Sequence, residues 1–223
     1  MTMFSQDTID FLAALRATNT RGWFEENRSA YHATVRDPAQ AFAGTLSHLL
    51  EESSRGPVAS KIFRINRDLR FSKDKTPYNA HVHIAFQPGG AGPDGPAWMV
   101  GLEPGKLSLG AGIMRFTPRQ LAAWRESVAG PAGAVLQRDL DHLVDRECSL
   151  SEPDLVRVPK PFAADHPRGD LLRRKGLVVW WHTEDTRMAY GPEGPARCQE
   201  QLQACAPIMI WLSETIQTGK AAS

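Results

Sequence analysis

Near residue 60 the apolar residues of this chain stop recurring at helical spacing and begin to alternate, and that change of period limits the folds open to it. Before it, Phe4-Ser5 followed by Ile9 has the form of a hydrophobic staple around a serine N-cap, with Phe11, Leu12 and Leu15 as the buried stripe. Asn19 and the Gly22 region break that run, and Phe24, Tyr31 and Val35 resume it. Asp37-Pro38 then reads as a cap with proline at the first helical position, opening a third helix with Phe42, Leu46, Leu49 and Leu50 on one face. After the change, Lys61 to Phe71 alternates: Phe63, Ile65, Leu69 and Phe71 on one face, Ile62, Arg64, Asn66, Asp68 and Arg70 on the other. His81 to Phe86 repeats the alternation, with Val82, Ile84 and Phe86 opposite His81, His83 and Ala85.

Ala97 to Glu103 and Lys106 to Met114 flank Pro104-Gly105, a hairpin signal. Thr117-Pro118-Arg119-Gln120 is a capping box that opens a helix with Leu121, Trp124 and Val128 inward, and Gly130-Pro131 ends it. Val135, Leu136, Leu140, Leu143 and Val144 mark another helix, and the proline-rich residues 145–169 read as irregular. Leu177 to His182 reads as a strand buried on both faces. A last helical pattern runs from about Ala196 to Ile216, with Pro207 as its break. Helices, then strands, then helices is the order of an α+β protein. The expectation is an antiparallel or mixed sheet of about five strands, with the N-terminal helices and further helices packed on it. A length of 223 residues with no long polar linker fits a single domain over 1–223, helical over about 5–55 and carrying sheet and helices over about 60–217.

Charge narrows the functional classes. Lys plus Arg total 26 against 25 for Asp plus Glu, which argues against a large basic surface and so against nucleic acid as partner. Cys148, Cys198 and Cys205 form no disulfide framework; the last two, seven apart in a helical pattern, read as small buried hydrophobes on one face. The N-terminus carries Asp7 and Asp10 inside its apolar pattern, unlike a signal peptide, and no stretch has the length of a membrane span. The expected location is the cytoplasm, with no membrane partner.

Chemistry concentrates in Arg64 to Tyr78, where 15 residues hold five cations, two carboxylates and a phenol. If the segment is a strand, Arg64 and Arg70 share a face with Asp68 between them, an arrangement suited to a carboxylate or phosphate held by planar guanidinium forks. Arg67 falls on the apolar face, so it either pairs with a buried carboxylate or is re-aimed by a bulge. A sheet edge guarded by charge, followed by a solvated Lys73-Asp74-Lys75 turn, accounts for the same residues without a ligand.

The segment resembles the signature RxxRDxRFxxxDKxPY of a bacterial family of conserved hypothetical proteins, the domain of unknown function 2461 family, matching from Arg64 through Tyr78. Two looser stretches support the resemblance: Phe11-Leu12, Leu15, Asn19, Arg21, Trp23-Phe24 and Tyr31, and Pro159-Lys160, Phe162, Asp165-His166-Pro167, Leu171-Leu172 and Lys175. Pro161 departs from the pattern, standing where glycine is expected. The resemblance implies a single-domain cytoplasmic protein of about this length and no assigned reaction. It also gives weight to a functional reading of Arg64, Arg67, Asp68, Arg70, Lys75 and Tyr78, because packing alone does not explain a signature made of such side chains.

His81 and His83 point to one side of their strand, and His81 beside the charged segment suits a general acid or base. With His182 and either Glu103 or Asp68 they also offer a loose metal-ligand set, though without HExxH spacing. No metal or cofactor is assigned on this evidence. No GxSxG elbow or phosphate-binding glycine motif occurs, and Gly110-Ala111-Gly112 reads as room for a neighbour to pack closely. The reading that results is an enzyme or binding protein with a cationic cleft for a small anionic molecule, carboxylate or phosphate. Arg64, Arg67 and Arg70 bind it, Lys75 and Tyr78 form the rim, and Asp68 and His81 are the catalytic pair. The rivals are a nucleic-acid or protein-interaction module and a purely structural ion-pair network.

Overall fold

The computed structural model describes residues 2–54, 56–70, 72–89 and 91–217. The first helix, α1 (Gln6–Ala17), starts as its sequence directs: the Ser5 N–H donates to Thr8 Oγ1 at 3.2 Å, and Phe4 and Ile9 are both buried. Next come α2 (Arg21–Glu26), capped by Thr20, and α3 (Arg28–Tyr31). Asp37-Pro38 does not open a new helix. Its backbone is already helical (Asp37 φ −67, ψ −41), and α3 passes through a π-helical turn, His32–Arg36, into α4 (Asp37–Ser54). Pro38 has no N–H to give the carbonyl of Thr34, four residues back, and the helix widens just ahead of it. The buried Thr8 hydroxyl of α1 donates to that carbonyl at 2.7 Å.

Six strands follow: β1 (Val58–Ile62), β2 (Val82–Pro88), β3 (Ala97–Glu103), β4 (Lys106–Ile113), β5 (Ser149–Leu150) and β6 (Leu177–Thr183). They form one antiparallel sheet in the order β1-β2-β3-β4-β6-β5. The expected hairpin is present, with Gly105 at φ +79 between β3 and β4. The strand beyond the expected five is β5, whose two residues pair as Ser149↔Trp180 and Leu150↔Val179. It is too short for periodicity to reveal within a stretch read as irregular. A larger correction concerns residues 61–71. The strand there ends at Ile62, Phe63 is 51% exposed, and the alternation of the following residues is not that of a sheet strand. Phe71 lies outside the described residues.

The remaining helices are α5 (Pro118–Ala129), α6 (Pro131–Val144), α7 (Gly169–Leu172), α8 (Gly194–Gln203) and α9 (Ala206–Gln217). The Thr117/Gln120 capping box opens α5 with both reciprocal bonds in place. In α6, Leu136, Leu140 and Leu143 are buried, whereas Val135 and Val144 lie on the exposed flank of the stripe. The last helical pattern is split, as its proline demands, with Pro207 in the first turn of α9. Cys198 lies in α8 and Cys205 in the turn after it, so the two buried cysteines do not share a helix face. Among the described residues no helix is long and apolar enough to cross a membrane.

The chain divides into two compact units. The first comprises Met1–Phe86, Met99–Leu109 and His182–Gln201, with a core built on Phe4, Leu12, Phe42, Leu46, Ile84 and Leu102. The second comprises Gln87–Trp98, Gly110–Trp181 and Leu202–Ser223, centred on Trp98, Trp124, Leu136, Leu172 and Leu177. In the second unit Gly110 and Gly112 do admit a close neighbour. A Cβ on Gly110 would stand 2.5 Å from the Trp180 ring, and one on Gly112, at φ +142, would strike the Leu177 carbonyl.

Candidate functional site

Beyond β1 the charged segment leaves the sheet and closes on itself. The Phe63 N–H donates to the His83 carbonyl at 2.9 Å. Then Asn79 N–H to Ile65 O (2.7 Å) and Arg67 N–H to Pro77 O (2.9 Å) tie residues 65–67 to 77–79, with an isolated antiparallel bridge at Asn66↔Tyr78. This narrow neck carries a loop over residues 68–76. Tyr78 fixes the neck: its buried ring stacks on Phe24 with centroids 4.2 Å apart. Its backbone exchanges two hydrogen bonds with the side-chain amide of Asn19, at 2.9 and 3.1 Å.

Arg67 holds the loop from inside. Its guanidinium donates to Asp74 Oδ2 at 2.5 Å, to the Thr76 carbonyl at 3.2 Å, to Thr76 Oγ1, and to Ser72 Oγ at 3.4 Å. Asp74 also accepts from the Thr76 N–H, and these bonds, the Thr76 N–H first, bring its carboxyl down to about 2. The unexplained Arg67 of the sequence thus has a carboxylate partner, on the exposed side of the loop. Arg70 forks onto Asp68, with Nη2 to Oδ2 at 2.6 Å and Nε to Oδ1 at 3.0 Å, and that side-chain bond holds the Asp68 carboxyl below its usual range. Lys75 Nζ donates to the Leu69 carbonyl at 3.1 Å. These bonds of Tyr78, Lys75 and Arg70 lie within the loop, its neck and the Asn19 clamp, and none of the three borders the nearby cavity.

That cavity, of about 360 Å³, is lined by Arg64, Arg67, Asp68 and His81 of the sequence-derived set, together with Phe63, Asn66, Ser72, Asn79 and His83. Arg64 differs from Arg67 and Arg70 of the same segment: among the described residues no hydrogen bond or ion pair engages its guanidinium, and its charge is felt only as a smaller electrostatic pull on Asp68. His81 and His83 stack with ring centroids 3.9 Å apart. Burial is the main cause that lowers both imidazoles from their ordinary value; for His81 the neighbouring His83 adds to the fall, and the Glu103 carboxylate opposes it in both. Glu103 is itself paired with Arg16 at 2.8 Å. A Cβ at Gly101 would stand 3.2 Å from His83 Cδ2, so the bare backbone of β3 makes room for the stack. The donors on this wall are two guanidiniums, Arg67's already bonded to the loop, two amides, a hydroxyl and the imidazole N–H groups, facing a single lining carboxylate, Asp68, which Arg70 holds.

Asn66, Asn79 and the clamp Asn19 were not singled out as site residues. The first two gain meaning only from the neck, which pairs residues a dozen positions apart. His182 stands apart on β6, with Nδ1 2.9 Å from Ser108 Oγ. Among the described residues no group of three or more His, Cys, Asp or Glu side chains is arranged to hold a metal ion. A comparison with curated proteins finds no match. The family model described as "Conserved hypothetical protein (DUF2461)" matches residues 7–211, from the first helix to the last and through the looped segment, and the chain belongs to that family.

Proposed function

We propose that this protein binds a small oxyanion, a carboxylate or phosphate, in the cavity beside the 65–67/77–79 neck. The observation that carries the reading is the Arg64 guanidinium, which no hydrogen bond or ion pair of the described residues engages and which borders a cavity walled by the His81–His83 stack. A planar fork left unengaged matches the two oxygens of a carboxylate or phosphate. Arg67, Arg70, Lys75 and Tyr78 act as positioning residues: they hold the loop and neck that present Arg64, Asn66 and Ser72. Asp68 orients Arg70. His81, kept neutral near pH 7, is the group fitted to take a proton from a bound ligand. The three free cysteines support a reducing, cytoplasmic location.

The test is calorimetric titration of phosphate and acetate into wild type and Arg64→Gln at low ionic strength. Wild type should bind at least one of the two, and Arg64→Gln should bind it about tenfold more weakly with its melting temperature unchanged. Equal affinity in the two proteins overturns the reading. The loop network favours a second, structural reading, in which the charged segment serves only to staple the loop. That reading predicts no anion binding in wild type and a loss of about 1–3 kcal/mol for Arg67→Ala, whose half-buried guanidinium bonds three loop residues.

A further inference from the structure

The proline-rich stretch that reads as irregular in the sequence builds a cavity in the second unit. Residues 154–156 are laced to 173–175: Leu155 N–H to Arg173 O at 3.0 Å, Lys175 N–H to Asp154 Oδ2 at 2.7 Å, and Arg173 Nη1 to the Leu155 and Val156 carbonyls, both at 3.4 Å. From Arg157 the chain swings out and returns through a turn at His166, where the Gly169 N–H meets the His166 carbonyl at 2.8 Å. Arg168 anchors the returning arm on α5. Its guanidinium donates to the Val128, Ala129 and Gly130 carbonyls at 2.6, 3.0 and 3.2 Å, capping the helix end where carbonyls lack partners. Between the outgoing and returning arms lies a cavity of about 710 Å³.

Its walls combine three arginines and two carboxylates, Asp165 and Asp170, with apolar surface. Arg157 borders it, and among the described residues no hydrogen bond or ion pair engages that side chain. Arg168 gives its hydrogen bonds to the Val128, Ala129 and Gly130 carbonyls, in contrast to Arg173, which pairs with Asp170 at 2.5 Å. His166 Nδ1 accepts the Arg168 N–H at 3.0 Å, which leaves Nε2–H as the donor of the neutral ring. Val156, 90% exposed, and the partly buried Val158 supply apolar surface on the lining. The volume falls within the range of about 300–1,000 Å³ typical of pockets for organic ligands, far more than an inorganic anion fills.

We propose that this cavity is a binding site for an organic carboxylate with an apolar body. The carboxylate meets Arg157 and the His166 Nε2–H, and the apolar body covers Val156 and Val158. This site is independent of the Arg64 cavity, shares no residue with it, and stands or falls without it.

Amide chemical shifts of ¹⁵N-labelled full-length protein, followed by NMR during titration with hexanoate, acetate and hexanol, test the proposal. Hexanoate should shift amides of residues 156–158 and 164–173 saturably, and acetate and hexanol should bind there at least about tenfold more weakly, each lacking one half of the recognition. Arg157→Gln, which removes no internal bond, should keep the wild-type melting temperature and weaken hexanoate by about tenfold; Val156→Asn should weaken hexanoate and leave acetate unchanged. Hexanoate shifts confined to other regions, equal affinity for hexanoate and hexanol, or an Arg157→Gln protein that binds hexanoate as wild type does would each overturn it.

Discussion

The two stacked imidazoles and Asp74 make opposite ends of the acid range visible in the folded state. Burial keeps the His81 and His83 pKa values below the unfolded value of about 6.5. The unfolded chain therefore binds more protons than the folded one just below that value, and stability, complete above it, falls as the pH drops towards the lower folded values. His182, lowered mainly by burial, acts in the same direction. Asp74, at about 2 in the fold, adds stability that is present above the ordinary Asp range and lost only as the pH falls towards 2. Thermal melts between pH 7.5 and 5.5 should show a falling midpoint, with a shallower fall in His81→Gln/His83→Gln; a midpoint equally steep in both proteins would refute the assignment. At this scale much was legible: the density of arginines, the oddness of Arg67, and the shared side of His81 and His83 all follow from residue type and spacing. What was not legible is which arginine stays unengaged. Asp68 and Asp74 settle that, one by a two-residue turn and the other across the loop, and neither pairing has a period.

Among the elements, α1 and the α3–α4 helix pack through side chains such as Phe11 against Tyr31, and a hydroxyl of α1 adds a hydrogen bond between them. The Thr8 side chain donates to the Thr34 carbonyl just where Pro38 has no N–H to offer. Thr8→Val keeps the shape but removes both this donor and the acceptor of the Ser5 N–H, and should cost about 1–3 kcal/mol in urea denaturation. In a Pro38→Ala background a helical N–H becomes available, so the same change should cost less; an equal cost in both backgrounds would separate the π turn from the proline. The sequence pattern located these helices through their stripes and read Asp37-Pro38 as a start signal. It missed the continuous path because proline is equally at home in a first turn and after a π turn. The strand expected over residues 61–71 failed for a related reason. Alternation persists past Ile62, but Asn19, far away in sequence, clamps the Tyr78 backbone and draws the chain into the neck. Local pattern carries no record of such a distant clamp.

For the molecule as a whole, the α+β class was legible because runs of one period followed runs of the other. The division into two compact units was not, since the chain passes between them within β2, β3, β4 and β6 and leaves no linker to mark the boundary. Units that share strands in this way should unfold together. Circular dichroism and fluorescence should then give one coincident transition in urea, and two resolved transitions would count against it. The partition also sorts the chromophores. Trp98, Trp124, Trp180, Trp181 and Trp211 all belong to the second unit and only Trp23 to the first, whereas Tyr31, Tyr78 and Tyr190 all belong to the first. With Trp23→Phe, indole emission would report on the second unit alone and tyrosine on the first, so one substitution gives a two-colour optical readout of where a ligand, a proton or a denaturant first takes hold.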